Sequence, residues 1–280
     1  MFKQILFMLL LGSFALVSCN NGGNSDATEE SSDDMAQFAD DEEFKEAHPE
    51  PEAIEPPANG EMMTFETPDG KTGSAFAIMP ENPNGDFLFV IHEWWGLNDH
   101  IKWEAGRLFE GLEGVTVMAL DMYDGKVATT QDQAGEFMQA VKEDRAQAII
   151  QGALNYAGPE AGIGTIGWCF GGGWSLRTSI MAGDQGKACV MYYGMPVQEA
   201  DKLAPIEADI LGIFAKQDGW ITPEVVNKFE SLAKATGESI EIHQYDAAHA
   251  FANPSNAEAY NEEATAEANA LALNFLQERL

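Results

Sequence analysis

Positive charge is scarce in this 280-residue chain: 15 Lys and Arg stand against 46 Asp and Glu, a formal net charge of −31. Such a surface repels phosphate backbones and argues against a nucleic-acid partner. The acidity is not confined to one tail. Residues 20–60 carry thirteen acids and the single base Lys45, and the other 33 acids fall within 61–280. Cysteine is scarce too. Cys19, Cys169 and Cys189 are too few and too scattered for a disulfide framework or a zinc site by spacing. Long apolar runs are missing. The stretch most fit to meet a bilayer, residues 5–17, is thirteen residues long, against the roughly 20 a spanning helix needs, so a polytopic membrane protein is excluded. What is present is 45% hydrophobic and 10% aromatic residues, enough for a sizeable core in one large domain or two small ones.

The N-terminus reads as an address. Lys3, an apolar core and then small residues give residues 1–18 the layout of an export signal. Its ending, Leu16-Val17-Ser18-Cys19, resembles the lipobox of bacterial lipoproteins, and polar Asn20-Asn21-Gly22-Gly23 follow at once. The resemblance implies cleavage before Cys19, acylation there, and a lipid anchor in the bacterial cell envelope. Residues 19–60 are rich in Asp, Glu, Ser, Pro and Gly, so they are expected to form an acidic, flexible tether, with room for a short helix around 35–46. His48 falls in this tether and is expected to be solvated.

From residue 61 strand and helix patterns alternate. Residues 62–67 and 73–79, joined through Pro68-Asp69-Gly70, read as a hairpin. Continuous apolar runs at 86–91, 115–120, 162–166, 188–193 and 210–215, with 239–245, read as further strands. Helical patterns lie at 98–112, 134–156 (one helix or two), 170–182, 223–236 and 258–279. This order predicts a single α/β domain over 61–280, with a mostly parallel central sheet, helices on both faces and an N-terminal hairpin.

The strongest chemical signal is Gly167-Trp168-Cys169-Phe170-Gly171, where a buried strand turns directly into a helix. Gly-x-Cys-x-Gly at such a turn is the nucleophile-elbow pattern with Cys in place of Ser, and a helix N-terminus behind Cys169 favours its thiolate. In that arrangement the acid and then the histidine follow along the chain. Asp218 and His249 each fall in a loop past a strand end, in that order, on the edge where open α/β sheets place their sites. His92 ends the 86–91 strand but precedes the required order, His100 opens a helix, and His243 lies inside a strand. Cys189, within an apolar strand, is expected to be inert core.

These segments, together with His92-Glu93-Trp94-Trp95-Gly96-Leu97-Asn98, His249-Ala250-Phe251 and Asp121-Met122-Tyr123, resemble the dienelactone hydrolase family across roughly residues 62–280. The resemblance implies an α/β-hydrolase fold with a Cys169–His249–Asp218 triad and Glu93 against the resting thiol. It also implies an oxyanion hole from the backbone N–H groups of Trp94 and Phe170. An ionised Glu93 near the sulfur would keep the thiol protonated until substrate displaces it.

The departures bear on substrate. Dienelactone hydrolases hold a carboxylate with two arginines; this chain has Lys126 and Asn253 at those places. Trp95, Tyr123, Trp168, Trp220 and Phe251 cluster around the candidate site in sequence and suggest an aromatic pocket for a small uncharged ester or lactone. The expectation is therefore a lipid-anchored carboxylic ester hydrolase working through an acyl-enzyme, with no metal or organic cofactor. A non-catalytic binding protein that keeps the fold is the alternative, and a redox role for Cys169 the remoter one. The oligomeric state is not legible.

Overall fold

A computed structural model of the chain describes residues 34–280. The export signal and Cys19 lie outside the described residues. An eight-stranded sheet forms the centre: β1 (Glu61–Glu66), β2 (Thr72–Ile78), β3 (Phe87–Ile91), β4 (Thr116–Leu120), β5 (Ile163–Trp168), β6 (Gly186–Tyr192), β7 (Asp209–Ala215) and β8 (Ile240–Tyr245). Its spatial order is β1-β2-β4-β3-β5-β6-β7-β8. β1 and β2 form the expected hairpin, antiparallel to each other, and β2 is antiparallel to β4. Every later pairing is parallel. This is the α/β-hydrolase-type fold.

The helices are α1 (Glu42–Glu46), α2 (Asp99–Gly111), α3 (Gln131–Gln139), α4 (Glu143–Ala157), α5 (Phe170–Ala182), α6 (Ala200–Leu203), α7 (Pro223–Thr236) and α8 (Glu262–Gln277). α2 starts where Asn98 Oδ1 accepts the N–H of Ile101, and it buries Ile101, Ala105 and Leu108. α7 carries Pro223 in its first turn and stops at Gly237, whose φ of +94° lies in the left-handed region. The 134–156 pattern resolves into two helices separated at 140–142. No helix of the described residues is long and apolar enough to cross a membrane.

β3 sits between β4 and β5, so the chain winds one way from β3 to β4 and the other way to β5. The crevice at the C-terminal ends of β3 and β5 is thus the topological switch point, where ligands of such sheets bind.

The expectation for residues 19–60 needs correcting where it can be seen. A 3₁₀ turn (Asp34–Phe38) and α1 lie against the domain, with Met35, Phe44 and His48 buried. Asp41 caps α1, its Oδ1 accepting the N–H of Glu43 at 2.9 Å. Gln131 Nε2 donates to the carbonyls of Lys45 and His48 at 2.6 and 3.1 Å, and Asn256 Nδ2 donates to Ala47 O at 2.6 Å. Composition misled because the acids point outward: Glu42, Glu43 and Glu46 are exposed while Phe44 on the same turn is buried.

Candidate active site

The site is built from loops leaving the C-terminal ends of the strands. β5 runs into Cys169, which takes φ +54° and ψ −118°. Holding an L-residue there costs on the order of 1–3 kcal/mol. The flanking glycines allow it: a Cβ on Gly167 would meet Gly171 O at 2.1 Å, and one on Gly171 would meet Ile91 O at 2.3 Å. Phe170 opens α5, so its N–H is among the first-turn donors without an acceptor inside the helix. Trp94 stands on the β3 side of the crevice.

His249 follows β8, and its Nδ1–H donates to Asp218 Oδ2 at 2.6 Å. Both are buried, 2% and 4% exposed. Asp218 Oδ1 accepts the N–H groups of Trp220 and Ile221, each at 2.9 Å. Burial works to raise the Asp218 pKa; the charge and hydrogen bond of His249 and the two N–H groups outweigh it, holding the carboxyl below its usual range. With Nδ1 donating, His249 Nε2 carries the lone pair. A ring nitrogen of His249, Cys169 Sγ and a ring nitrogen of His48 all lie within 4.8 Å of one another. Cys169, His249 and Asp218 are thus brought together.

Glu93 Oε2 accepts from Asn253 Nδ2 at 2.9 Å. Burial pushes this carboxyl up to about 7, with Glu104 adding to the rise and His249 and Asn253 opposing it. Because the folded pKa is above that of the unfolded chain, the protonated group's contribution to stability is full below about pH 4.5 and is lost as pH rises through about 7. Glu93→Gln should flatten stability over that window and leave the protein more stable than wild type at pH 8, by roughly 1–2 kcal/mol after allowing for partial exposure. Urea titrations of both proteins at pH 5 and pH 8 check this; parallel curves would remove Glu93 as the group that titrates.

His92 is a brace rather than a base. Its Nε2 accepts the Met122 N–H at 3.1 Å, so its Nδ1–H donates to Glu93 O at 2.6 Å, tying the β3 and β4 loops together. His243 lies on the edge strand β8, and His100 Nε2–H donates to Glu52 O at 2.6 Å. Cys189 lies in the core opposite Thr165, four residues before Cys169. At about 3.3 Å per residue the two cysteines are some 13 Å apart, beyond disulfide reach, which argues against a redox pair.

The aromatic residues divide by position. Trp220 packs edge-on to His249 at 5.6 Å between ring centroids, and its Nε1–H donates to Asp41 Oδ2 at 3.2 Å. Tyr123 lies 5.3 Å from Phe170, and Trp168 lines a small cleft with Glu93, Trp103 and Asn253. Trp95 and Phe251 are buried behind Trp94 and Tyr193. Lys126 Nζ sits over the Phe137 ring at 5.1 Å, beside a cavity of about 340 Å³ lined by Tyr123 and Arg145.

The profile of the dienelactone hydrolase family matches residues 74–280. The chain belongs to the dienelactone hydrolase family, and with it to the hydrolases. It is 28% identical over 234 residues to protein usf of Aquifex pyrophilus, covering 79% of this chain and 99% of that one. To the carboxymethylenebutenolidase of Pseudomonas sp. strain P51 it is 25% identical over 234 residues, covering 75% and 92%. A solved dienelactone hydrolase-like promiscuous phosphotriesterase from metagenomic libraries superposes with a TM-score of 0.68 at 23% identity, covering 79% and 99%. At that identity the likeness is one of fold.

Sequence reasoning missed who else stands at this family site. His48, expected in solvent, is 5% exposed, and its ring lies 5.2 Å from His249. Phe44 packs on Trp94, Trp220 and His249 at 5.3, 5.1 and 5.9 Å. Tyr193, at φ +33°, lies 5.1 Å from His249. The available signal was the i, i+4 spacing of Phe44 and His48, which puts His48 just past the end of α1 with its ring 4.2 Å from that of Phe44.

Proposed function

We propose that this protein hydrolyses a small uncharged ester or lactone through an acyl-enzyme on Cys169. The observation that carries the reading is the buried Asp218–His249 pair, with a His249 ring nitrogen within 4.8 Å of a sulfur held on a strained elbow and His249 Nε2 without a hydrogen-bond partner among the described residues.

The chemistry follows from those groups. His249 Nε2 takes the thiol proton as the sulfur adds to the carbonyl carbon, while Asp218 stabilises the imidazolium. The N–H groups of Phe170 and Trp94 receive the negative oxygen, each donor of this kind being worth roughly 3–4 kcal/mol. Collapse expels the alkoxide, which takes the proton from His249. Water then adds to the thioester, gives its proton to His249, and the thiol leaves with that proton restored. Glu93, ionised, favours the thiol over the thiolate between turnovers. The neutral substrate class fits the placement of the two residues that stand where arginines would bind a carboxylate: Lys126 is committed to Phe137, and Asn253 to Glu93.

The test is p-nitrophenyl acetate turnover by wild type and Cys169→Ala, with mass spectrometry of quenched wild type. Expected are turnover lost in the variant and an acetyl group on Cys169. A folded wild type with neither turnover nor adduct would favour a binding protein that keeps the fold.

Lipid anchoring is part of the same reading, supported by Leu16-Val17-Ser18-Cys19. In a bacterial host, mass spectrometry of the mature N-terminus should find acylated Cys19, and Cys19→Ala should release the protein from membranes. An unmodified Cys19 in the mature chain would remove the anchor.

A further inference from the structure

Two imidazoles and a thiol converge where the domain meets the segment that covers it. Each imidazole is fixed through Nδ1. His249 donates to Asp218 Oδ2, and His48 donates to Phe44 O, both at 2.6 Å. Each therefore turns a lone pair on Nε2 inward. Both Nε2 atoms are buried, and neither has a hydrogen-bond partner among the described residues. A nitrogen of each ring and Cys169 Sγ form a cluster spanning no more than 4.8 Å. A thiol has one proton to give, so it cannot satisfy both lone pairs.

A thiolate and two neutral imidazoles are the donor set of a borderline-soft divalent cation. The distal N–H of each ring bonds to a carboxylate or a carbonyl, which is how protein sites fix the tautomer of a ligating histidine. Zinc at about 2.3 Å from sulfur and 2.0–2.1 Å from nitrogen puts tetrahedral ligand atoms about 3.5 Å apart. Closing the cluster around an ion thus needs a movement of roughly an ångström. Cys169 follows β5, His249 lies in the loop after β8, and His48 belongs to the segment packed over them.

We propose that His48, Cys169 and His249 form a three-ligand site for a zinc-class divalent cation, which pins residues 41–48 over the thiol and blocks ester hydrolysis until the ion is removed. The fourth position is left to water. Binding exchanges the thiol proton, released to solvent, for a sulfur–metal bond, with no change of oxidation state. The blocking role rests on Cys169 being the nucleophile; the binding site does not.

The experiment titrates the metal-free protein with Co²⁺, reading the thiolate-to-cobalt charge-transfer absorption, and then with Zn²⁺ as competitor. Expected are one ion per chain, loss of the charge-transfer band in Cys169→Ser, and displacement by Zn²⁺. His48→Ala, with wild-type circular dichroism, should bind at least 100-fold more weakly, beyond the roughly 10–100-fold that loss of an outer-shell partner costs. Alongside, Zn²⁺ should abolish p-nitrophenyl acetate turnover and a chelator restore it, with His48→Ala needing at least 100-fold more Zn²⁺. Absence of the band in wild type, or equal Co²⁺ affinity in His48→Ala, overturns the site. Metal binding that leaves turnover untouched overturns the blocking role. Metal-free protein without turnover counts against the nucleophile assignment, and the cobalt spectrum still decides the site.

Discussion

Asp218→Asn is expected to lower kcat for an activated ester about 10⁴-fold at neutral pH while leaving the domain folded, the size of the loss produced by the corresponding change in a serine-protease triad. The geometry gives the reason. Asp218 Oδ2 receives the Nδ1 proton of His249 at 2.6 Å, which leaves Nε2 free to accept. An amide at that place can turn its NH₂ to Nδ1, so the ring proton moves to Nε2 and the base faces Cys169 already protonated. Asn retains a carbonyl oxygen for the N–H groups of Trp220 and Ile221, so the loop keeps its turn. Since the folded pKa of Asp218 is depressed, wild type gains stability above the ordinary carboxylate pKa and loses it as pH falls through the lower folded value; the variant should lack that acid dependence. Stopped-flow kinetics with urea titrations at pH 3 and pH 7 read both effects. A variant within tenfold of wild-type kcat would show that Asp218 does not set the tautomer of His249.

Gly171→Val should severely damage the fold, costing at least the roughly 3 kcal/mol at the upper end of ordinary overpacking. Even one methyl at Gly171 would stand 2.3 Å from Ile91 O and 2.5 Å from His92 O. Both are backbone atoms of β3 and its loop and have no rotamer in which to retreat. α5 would have to lift off the sheet, carrying the Phe170 N–H out of line with Cys169. The urea midpoint should fall, and ester turnover should fall with it in whatever fraction stays soluble. A wild-type midpoint would mean that α5 and β3 do not approach this closely.

The elbow at Cys169 could be read from sequence because it is set locally: glycines at fixed offsets, a strand before, a helix after. The hairpin and the buried strands were legible for the same reason. Where the chain's conformation depends on distant partners, local patterns failed. Phe44 is one aromatic in a run of acids, and only the surfaces of Trp94 and Trp220, some 50 and 176 positions along the chain, give it somewhere to go. Tyr193 looked like the end of an apolar strand; its positive φ, which swings the ring to within 5.1 Å of His249, carries no sequence mark. The break that divides α3 from α4 is similarly quiet, since Lys142 starts α4 without a side-chain cap.

The cover over Cys169 belongs to the same chain as the site, joined through residues 49–60. A competitor tethered this way acts at an effective concentration that dilution does not change. Substrate arriving from that face meets a site available only for the fraction of time the cover is off, and its apparent dissociation constant is the intrinsic one divided by that fraction. Each 1.4 kcal/mol by which Phe44 and His48 favour docking multiplies the apparent constant by about ten. Substrate surveys on the intact chain should therefore return apparent affinities weaker than the intrinsic affinity of the pocket.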